Sequence, residues 1–267
     1  MKIIRYADSA GQAHFAAQNA DGSAWRIEGD LYGKFSVTNQ TANVKKLLAP
    51  VVPSQILCIG LNYRKHAEET KAKIPEYPVL FVKSPATVQN PGDPILIPTH
   101  LKSDEVDYEC ELAVVIKKAG KNIARAHALE HVLGYTCAND VSARDWQIKR
   151  GGSQWCRGKS FDTFCPLGPC LVTADEITNP NTLNISTELN GQKVQGSNTN
   201  DMIFDVPTLI EFLSGSLTLL PGTVILTGTP SGVGMAAQPP RWLKPGDQLT
   251  VEIERIGKLT NTVENEG

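Results

Sequence analysis

The sequence predicts a strand-rich α+β fold with a β-roll or barrel-like core, and three observations support this class. Strand-like segments outnumber helix-like segments and do not alternate with long helices, which argues against a doubly wound parallel sheet. Asn190-Gly191 lies between two strand-like stretches and is a strong β-hairpin signal. The 267 residues include 22 glycines and 17 prolines, which is typical of a chain with many turns.

Residues 1–50 are predicted to form a small β N-terminal module. Asp, Gly and Ser turns separate three short strand-like segments: Lys2–Tyr6, His14–Ala17 and Ser23–Ile27. Pro50-Val51-Val52-Pro53 then interrupts the chain as a linker would. We therefore expect a boundary near this point, with the catalytic domain occupying residues 51–267.

The main domain is predicted to mix strands with a few short helices. Apolar runs bounded by turn residues predict strands, at Gln55–Gly60, Val79–Lys83, Tyr108–Ile116, Gly134–Asn139, Asn184–Leu189, Thr223–Thr227, Gln248–Ile253 and Lys258–Val263. Helical spacing predicts four helices, at Arg64–Ala72, Ala126–Val132, Ala143–Lys149 and Val206–Ser214.

Composition and charge exclude several classes of protein. With 26 basic and 28 acidic side chains the net charge is −2, so the chain has no general attraction to nucleic acid or anionic membranes. The longest purely apolar run, Leu112–Ile116, is far shorter than the roughly 20 residues of a membrane span. The N-terminus shows no secretory signal, so we expect a cytoplasmic protein. None of the six cysteines forms a CxxC pair, and we interpret all six as free thiols.

Two glycine-containing segments resemble nucleotide-binding motifs but lack the helix that each motif requires. Gly158-Lys159-Ser160 is similar to the end of a phosphate-binding loop, yet the residues that follow lead to Pro166 and cannot open a helix. Gly232–Ala237 matches a dinucleotide fingerprint, but Pro239 and Pro240 follow at once. We interpret both segments as loops.

A third motif offers an alternative function. His127-Ala128-Leu129-Glu130-His131 matches the H-x-x-E-H signature of one class of zinc proteases, in which the two histidines share a helix face. The predicted helix is only about two turns long before Gly134, and a solvated amphipathic helix explains the pattern more simply. The zinc protease at His127 and His131 stays a distant alternative.

Three carboxylates form the most informative pattern in the chain. The period of two in a strand places Glu109 and Glu111 on one face, about 7 Å apart at the backbone. A second apolar strand, Gly134–Asn139, ends directly before Asp140. Three carboxylates without a histidine or thiol suit a hard divalent ion such as Mg²⁺, Mn²⁺ or Ca²⁺. Lys159 is a candidate to offset the remaining negative charge.

Six sequence blocks lie in order within residues 55–263: Gly60–Glu69 (GLNYRKHAEE), Phe81–Pro85 (FVKSP), Asp107–Leu112 (DYECEL), Asn139–Asp145 (NDVSARD), Gly158–Asp162 (GKSFD) and Leu226–Gly234 (LTGTPSGVG). Through these blocks the chain resembles the fumarylacetoacetate hydrolase family. The resemblance implies a mixed β-sandwich roll, a homodimer, and Mg²⁺ or Mn²⁺ held by the acids that match Glu109, Glu111 and Asp140.

The resemblance also implies roles for five further residues. The lysine and glutamine that match Lys159 and Gln147 line the active site, and the threonine that matches Thr229 binds the substrate carboxylate. The pair that matches His66 and Glu69 lies on a short helix that orders as a lid and activates water. From the residues alone, the i, i+3 spacing places this pair on one helix face, although a solvated helix has the same pattern.

These expectations lead to a hydrolase that cleaves a C–C bond in small 2,4-dioxo acids of the acylpyruvate or fumarylpyruvate type. A 2-oxo acid can chelate a hard ion, which would stabilise the pyruvate enolate that the cleavage produces. The same site would also serve an oxaloacetate-type decarboxylase or a 2-hydroxy-dienedioate isomerase, and the sequence does not choose among the three. A catalytically silent binding protein is disfavoured, because every expected active-site position carries the expected residue type.

Overall fold

A computed structural model describes residues 1–267 as 19 strands and several short helices. The strands are β1 (Lys2–Ala7), β2 (Ala13–Gln18), β3 (Ala24–Gly29), β4 (Phe35–Thr41), β5 (Lys46–Leu48), β6 (Gln55–Gly60), β7 (Val79–Lys83), β8 (Val88–Gln89), β9 (Ile95–Ile97), β10 (Val106–Asp107), β11 (Cys110–Ile116), β12 (Val132–Asn139), β13 (Ser142–Ala143), β14 (Cys165–Thr173), β15 (Asn184–Leu189), β16 (Gln192–Asn198), β17 (Thr223–Leu226), β18 (Gln248–Ile253) and β19 (Gly257–Asn265).

Three α-helices connect these strands: α1 (Arg64–Glu69), α2 (Trp155–Lys159) and α3 (Val206–Ser216). A π-helix spans Asp145–Arg150, and 3₁₀ helices occur at Pro85–Thr87, Arg125–His131, Pro180–Thr182, Thr199–Asp201 and Gly234–Ala236. Strands thus dominate the fold, as the sequence predicted. None of these helices has the length and apolar composition of a membrane-spanning segment.

A 12-stranded mixed sheet forms the larger layer. Its order is β4-β3-β2-β1-β14-β12-β11-β17-β6-β7, with β5 paired to β1 and β8 paired to β14. Along this path only β17 and β6 run parallel. The strands of residues 1–50 join the sheet through the β1–β14 pair, so this segment continues the large sheet. The proposed boundary at residue 50 stays a prediction.

The second layer is a five-stranded sheet with the order β16-β15-β18-β19-β9. Its β15–β16 hairpin turns at Asn190 and Gly191, whose φ values of 52° and 76° match the turn that this dipeptide favours. Because two mixed sheets pack face to face, the predicted β-sandwich roll is confirmed.

The main hydrophobic core lies between the two sheets. Leu112 and Val114 of β11 face Val251 and Ile253 of β18 within one cluster of 32 buried residues. The alternate residues of β11 belong to a second cluster on the other side of the large sheet. All seven residues of β11 are therefore buried, and any carboxylate near this strand lies in an apolar setting.

Several elements differ from the sequence predictions for identifiable reasons. β14 was not predicted because Pro166, Gly168 and Pro169 interrupt it, although it is central in the sheet. The helix predicted at Ala126–Val132 is a 3₁₀ helix, and the one predicted at Ala143–Lys149 begins later and is a π-helix. The cysteines are all free, as predicted, and five of the six are buried.

Candidate active site

The three predicted carboxylates converge where β11 and β12 meet. The strands are antiparallel with Cys110 opposite Asn139, so Glu109, just before β11, lies beside Asp140, just after β12. The Asp140 N–H donates to the Glu109 carbonyl at 2.8 Å, which fixes the two backbones together. One carboxylate oxygen from each of Glu109, Glu111 and Asp140 lies within 4.8 Å of the others, and all three residues are buried.

Buried cations accompany two of the three acids. The Lys159 ammonium donates to Glu109 Oε2 at 2.7 Å and to Asp140 Oδ2 at 2.6 Å. Lys83 Nζ lies 2.6 Å from Asp140 Oδ1, and Arg144 Nη2 lies 2.6 Å from Glu109 Oε1. Burial opposes ionisation of Glu109, but the charges of Lys159 and Arg144 outweigh it and hold its pKa well below the ordinary value.

Lys159 lies at the C-terminal end of α2, which also places Trp155 at the cavity. Burial alone would lower the pKa of this lysine. The charges of Asp140 and Glu109 outweigh burial, so its pKa is raised and the side chain stays an ammonium group. Lys159 therefore supplies a fixed positive charge between two of the carboxylates.

Glu111 is the acid without a salt bridge. Its Oε2 accepts a hydrogen bond from the Gly228 N–H at 2.6 Å, and burial together with the charges of Asp140 and Glu109 raises its pKa well above the ordinary value. A divalent cation at the triad would supply the charge that this carboxylate lacks. An all-oxygen donor set of this kind fits Mg²⁺ or Mn²⁺, with Ca²⁺ also compatible.

The His66–Glu69 pair is also formed. Both residues lie on α1, and His66 Nδ1 is 3.0 Å from Glu69 Oε1. The Gly232 N–H donates to Glu69 Oε2 at 2.9 Å, so the carboxylate is held from two directions. An ionised carboxylate accepts only, which assigns the proton to Nδ1 and leaves Nε2 of the imidazole as its basic nitrogen. His66 is 7% exposed and lines the cavity.

A cavity of about 170 Å³ joins these groups. Its charged and polar wall contains the predicted residues His66, Glu109, Glu111, Gln147, Lys159 and Thr229, together with Arg144. Its apolar wall includes Ile59, Phe81, Ile148, Trp155 and Met235. Asp140 lies behind the cavity surface, fully buried. A small anionic molecule with a short apolar portion matches this lining.

Gln147 and Thr229 each present a free donor. Gln147 lies on the π-helix, and its Oε1 accepts from Arg144 Nη1 at 2.9 Å, which leaves its amide hydrogens available to the cavity. Thr229 lies in the segment 227–235, called the glycine loop below, and its Oγ1 accepts from Gln195 Nε2 at 2.9 Å.

Sequence reasoning missed three charged residues that organise the site. Lys83 ends β7 on the same face as buried Phe81. A lysine at a core-facing strand position is rarely buried unless it is paired, so this position in the sequence could have indicated a buried ion pair. Arg144 bridges Glu109 and Asp107, with its Nε 2.9 Å from Asp107 Oδ2. Asp107 also accepts from the Gly234 N–H at 2.7 Å, which ties the glycine loop to β10.

The zinc protease alternative is wrong. His127 and His131 lie on a 3₁₀ helix, in which residues four apart do not share a face. His127 is exposed and bonds Glu130 at 2.9 Å, whereas His131 Nδ1 donates to the Lys118 carbonyl at 2.9 Å. The one cluster of possible metal ligands in residues 1–267 is the Glu109, Glu111 and Asp140 triad.

Comparison with known proteins identifies the class. The family model described as fumarylacetoacetate (FAA) hydrolase C-terminal matches residues 55–264. The mitochondrial oxaloacetate tautomerase fahd2 of Xenopus laevis is 52% identical over 218 residues, which cover 81% of this chain and 68% of that protein. The human mitochondrial oxaloacetate tautomerase FAHD2A is 49% identical over 217 residues, with the same coverage.

Solved structures show the same likeness over the whole chain. The 5-carboxymethyl-2-hydroxymuconate delta-isomerase of Mycobacterium smegmatis is 39% identical with a TM-score of 0.87, and the alignment covers 100% of both chains. The fumarylacetoacetate hydrolase of Exiguobacterium antarcticum is 36% identical with a TM-score of 0.89, also over 100% of both chains. The chain belongs to the fumarylacetoacetate hydrolase family and is an enzyme.

Proposed function

We propose that this enzyme is a divalent-metal-dependent tautomerase of small 2-oxo dicarboxylic acids, with oxaloacetate as the first substrate to test. The observation that carries the proposal is that two members of the buried carboxylate triad, Glu109 and Glu111, line one small cavity together with His66, which is hydrogen-bonded to Glu69. The names of the tautomerase relatives favour proton transfer over the C–C bond hydrolysis that we expected first.

The residues of the cavity suit a proton transfer between carbon and oxygen. Conversion of the keto to the enol form removes a proton from C3, forms the C2–C3 double bond and places a proton on the C2 oxygen. His66 Nε2 is the available base, and Glu69 holds the ring and stabilises its protonated form. Lys159 offers positive charge near the oxygen where negative charge develops.

Glu109, Glu111 and Asp140 are the residues that would hold the metal. A bound Mg²⁺ or Mn²⁺ would act as a Lewis acid on the 2-oxo group. Gln147 and Thr229 remain free to donate hydrogen bonds to substrate carboxylates. The buried Lys159 and Arg144 leave little excess negative charge at the site, which favours entry of an anionic substrate.

Hydrolysis of 2,4-dioxo acids stays as a second candidate. The same His66 Nε2 could take a proton from water, and the structural relative from Exiguobacterium antarcticum is named a fumarylacetoacetate hydrolase. Isomerisation of a 2-hydroxy-dienedioate is a further possibility, because a 2-hydroxyhepta-2,4-diene-1,7-dioate isomerase of Mycobacterium marinum is 37% identical to this chain. Decarboxylation of oxaloacetate would begin from the same bound substrate.

A substrate panel decides among these reactions. Loss of the oxaloacetate enol is followed by its absorbance, acetylpyruvate cleavage by the pyruvate released, and dienedioate isomerisation by the loss of conjugation. Each assay is run after EDTA treatment and again after addition of Mg²⁺ or Mn²⁺. We expect metal-dependent enol–keto conversion to be the fastest reaction. Faster cleavage of acetylpyruvate, or activity that survives complete metal removal, would contradict the proposal.

We also propose a homodimer and a cytoplasmic location. The outer edge of β7 is unpaired, and Leu80 and Val82 on this strand are 37% and 46% exposed, as expected of a surface that a second copy covers. Light scattering coupled to size-exclusion chromatography tests the dimer. The tautomerase relatives are named as mitochondrial, so fractionation of the source cells is the test of location.

A further inference from the structure

Gln195 of β16 is a buried polar residue that lies behind the cavity wall. It is 1% exposed and reaches from the smaller sheet to β11 and to the glycine loop. Its side-chain amide makes four hydrogen bonds, which use all of its donors and acceptors. A fully bonded amide in this position has one fixed orientation and can transmit that orientation to its neighbours.

Two backbone groups set the direction of the amide. The Cys110 N–H donates to Gln195 Oε1 at 3.0 Å, and Gln195 Nε2 donates to the Pro230 carbonyl at 3.0 Å. A backbone N–H can only donate and a carbonyl can only accept. Rotating the amide by 180° would therefore place its NH₂ group against the Cys110 N–H and its oxygen against the Pro230 carbonyl, and both hydrogen bonds would be lost. The Thr187 hydroxyl occupies the second acceptor position of Oε1 at 2.8 Å.

This fixed direction determines what Thr229 can do. The remaining hydrogen of Gln195 Nε2 points to Thr229 Oγ1 at 2.9 Å, so the hydroxyl oxygen acts as an acceptor on that side. Thr229 donates its own hydroxyl hydrogen to no protein group, although it is 4% exposed and lines the cavity. The hydrogen is therefore free to point into the cavity.

We propose that Gln195 is a positioning residue that makes Thr229 a donor to an anionic oxygen of the substrate. The assignment rests on the proposed function in one respect, namely that the substrate presents a carboxylate to Thr229. It implies selectivity, because a substrate ammonium group at the same place has no acceptor and would bring a second donor against this one.

Binding of pyruvate in the presence of Mg²⁺ tests this role without depending on turnover. The variants are Gln195→Met, which keeps the side-chain volume and removes the amide, Thr229→Val, and the double variant. A hydrogen bond to a charged group is worth enough to change affinity by about tenfold or more. We expect each single variant to weaken pyruvate binding by about tenfold, and Gln195→Met to have almost no further effect when Thr229 is already Val.

The double variant separates positioning from a purely structural role. Additive losses from the two substitutions would overturn the proposal, as would unchanged pyruvate affinity in a folded Gln195→Met protein. Mg²⁺ affinity, measured by calorimetry without pyruvate, should stay within about twofold of the original value. If Gln195→Met does not fold, Gln195→Glu serves instead. A neutral Glu would keep the acceptor for Cys110, donate its single hydrogen to the Pro230 carbonyl and present only a lone pair to Thr229, so the Thr229 hydroxyl would turn away from the cavity and the same tenfold loss is expected.

The readouts also keep this proposal distinct from the proposed function. Absence of oxaloacetate tautomerase activity combined with coupled effects of the two substitutions on pyruvate binding would refute the function and support the role of Gln195. Tautomerase activity combined with additive effects of the two substitutions would support the function and refute the role of Gln195. Thr229→Ser, which retains the hydroxyl, should bind pyruvate within about threefold of the original protein, since the donor is kept.

Discussion

Replacing Glu111 with Gln should stabilise the metal-free enzyme and, at the same time, remove its stabilisation by metal. Glu111 is buried, forms no salt bridge, and lies with its ligand oxygen within 4.8 Å of those of Glu109 and Asp140. Gln has the same shape and can still accept from the Gly228 N–H through its amide oxygen. The substitution therefore deletes one buried negative charge without a large change in packing.

The expected magnitude follows from the geometry. Two like charges 4.8 Å apart repel by about 3.5 kcal/mol at an effective dielectric constant near 20. Protonation of Glu111 limits this penalty: bringing a group with an ordinary pKa of 4.5 to the neutral form at pH 7 costs about 3 kcal/mol. The attraction between Lys159 and the ionised Glu111 reduces this destabilisation further. We expect the free energy of unfolding to rise by about 1–3 kcal/mol in the metal-free variant.

The same residue predicts a pH dependence with a definite sign. Because the folded-state pKa of Glu111 is raised, the native state binds a proton that the unfolded state releases above its ordinary pKa of 4.5. Below pH 4.5 Glu111 contributes nothing to the free energy of unfolding through this proton. As the pH rises from there toward the folded-state pKa, the residue lowers the free energy of unfolding. The difference in stability between Glu111→Gln and the original enzyme should therefore grow from pH 5 to pH 8.

Urea unfolding of EDTA-treated protein measures these effects, and Glu109→Gln is the matched control. Glu109 is paired with Lys159 and Arg144, so its neutralisation leaves these two buried cations with one carboxylate each, Asp140 and Asp107, and should destabilise the metal-free enzyme, by about 3 kcal/mol. Saturating Mg²⁺, at about 100 times its Kd, should add about 2.7 kcal/mol to the original enzyme only. If Glu111→Gln and Glu109→Gln changed the free energy of unfolding of the metal-free enzyme in the same direction, this account of the charges would be refuted.

Two further predictions concern the groups that hold the site. Gly232 has a φ of +101°, its N–H holds Glu69, and a Cβ there would clash with the smaller sheet. Gly232→Ala should therefore lower kcat by about 10²-fold or more and also weaken Mg²⁺ binding, because the displaced loop holds Glu111 as well. Gly246→Ala, with a similar φ of +92° but no neighbour within 4 Å, is the control and should retain kcat. Lys83→Met breaks the buried pair with Asp140 and should destabilise the metal-free enzyme by about 3–5 kcal/mol in urea unfolding; an unchanged midpoint would show that Asp140 does not need this partner.

The parts of the site that the sequence predicted are the parts that local periodicity controls. Glu109 and Glu111 share a face because side chains two apart in an extended chain point the same way, and His66 and Glu69 meet because they are three apart on a helix. Asp140 followed from its position at the end of an apolar strand. The convergence of these local patterns on one cavity depends on the pairing of β11 with β12.

The parts that the sequence did not predict depend on long-range contacts or on local exceptions. Gln195 reaches its partners across the two sheets, 85 residues from Cys110 in the chain, and no local pattern marks it. β14 contains two prolines that suppress a strand prediction, yet β1 and β12 pair with it. The histidine motif at residues 127–131 shows the converse: a correct local spacing without the helix geometry that its chemistry requires.

The glycine loop explains why the metal site and the proton-transfer pair are built as one unit. Three of its backbone N–H groups donate to functional carboxylates: Gly228 to Glu111 at 2.6 Å, Gly232 to Glu69 at 2.9 Å and Gly234 to Asp107 at 2.7 Å. A Cβ at Gly232 would lie 2.1 Å from a backbone oxygen, so side chains are excluded where the loop approaches the smaller sheet. Because one short loop fixes three carboxylates, a shift of this loop would move the proposed metal ligand Glu111 and the orienting residue Glu69 together. A substitution that displaces the loop should therefore impair Mg²⁺ binding and proton transfer in the same variant.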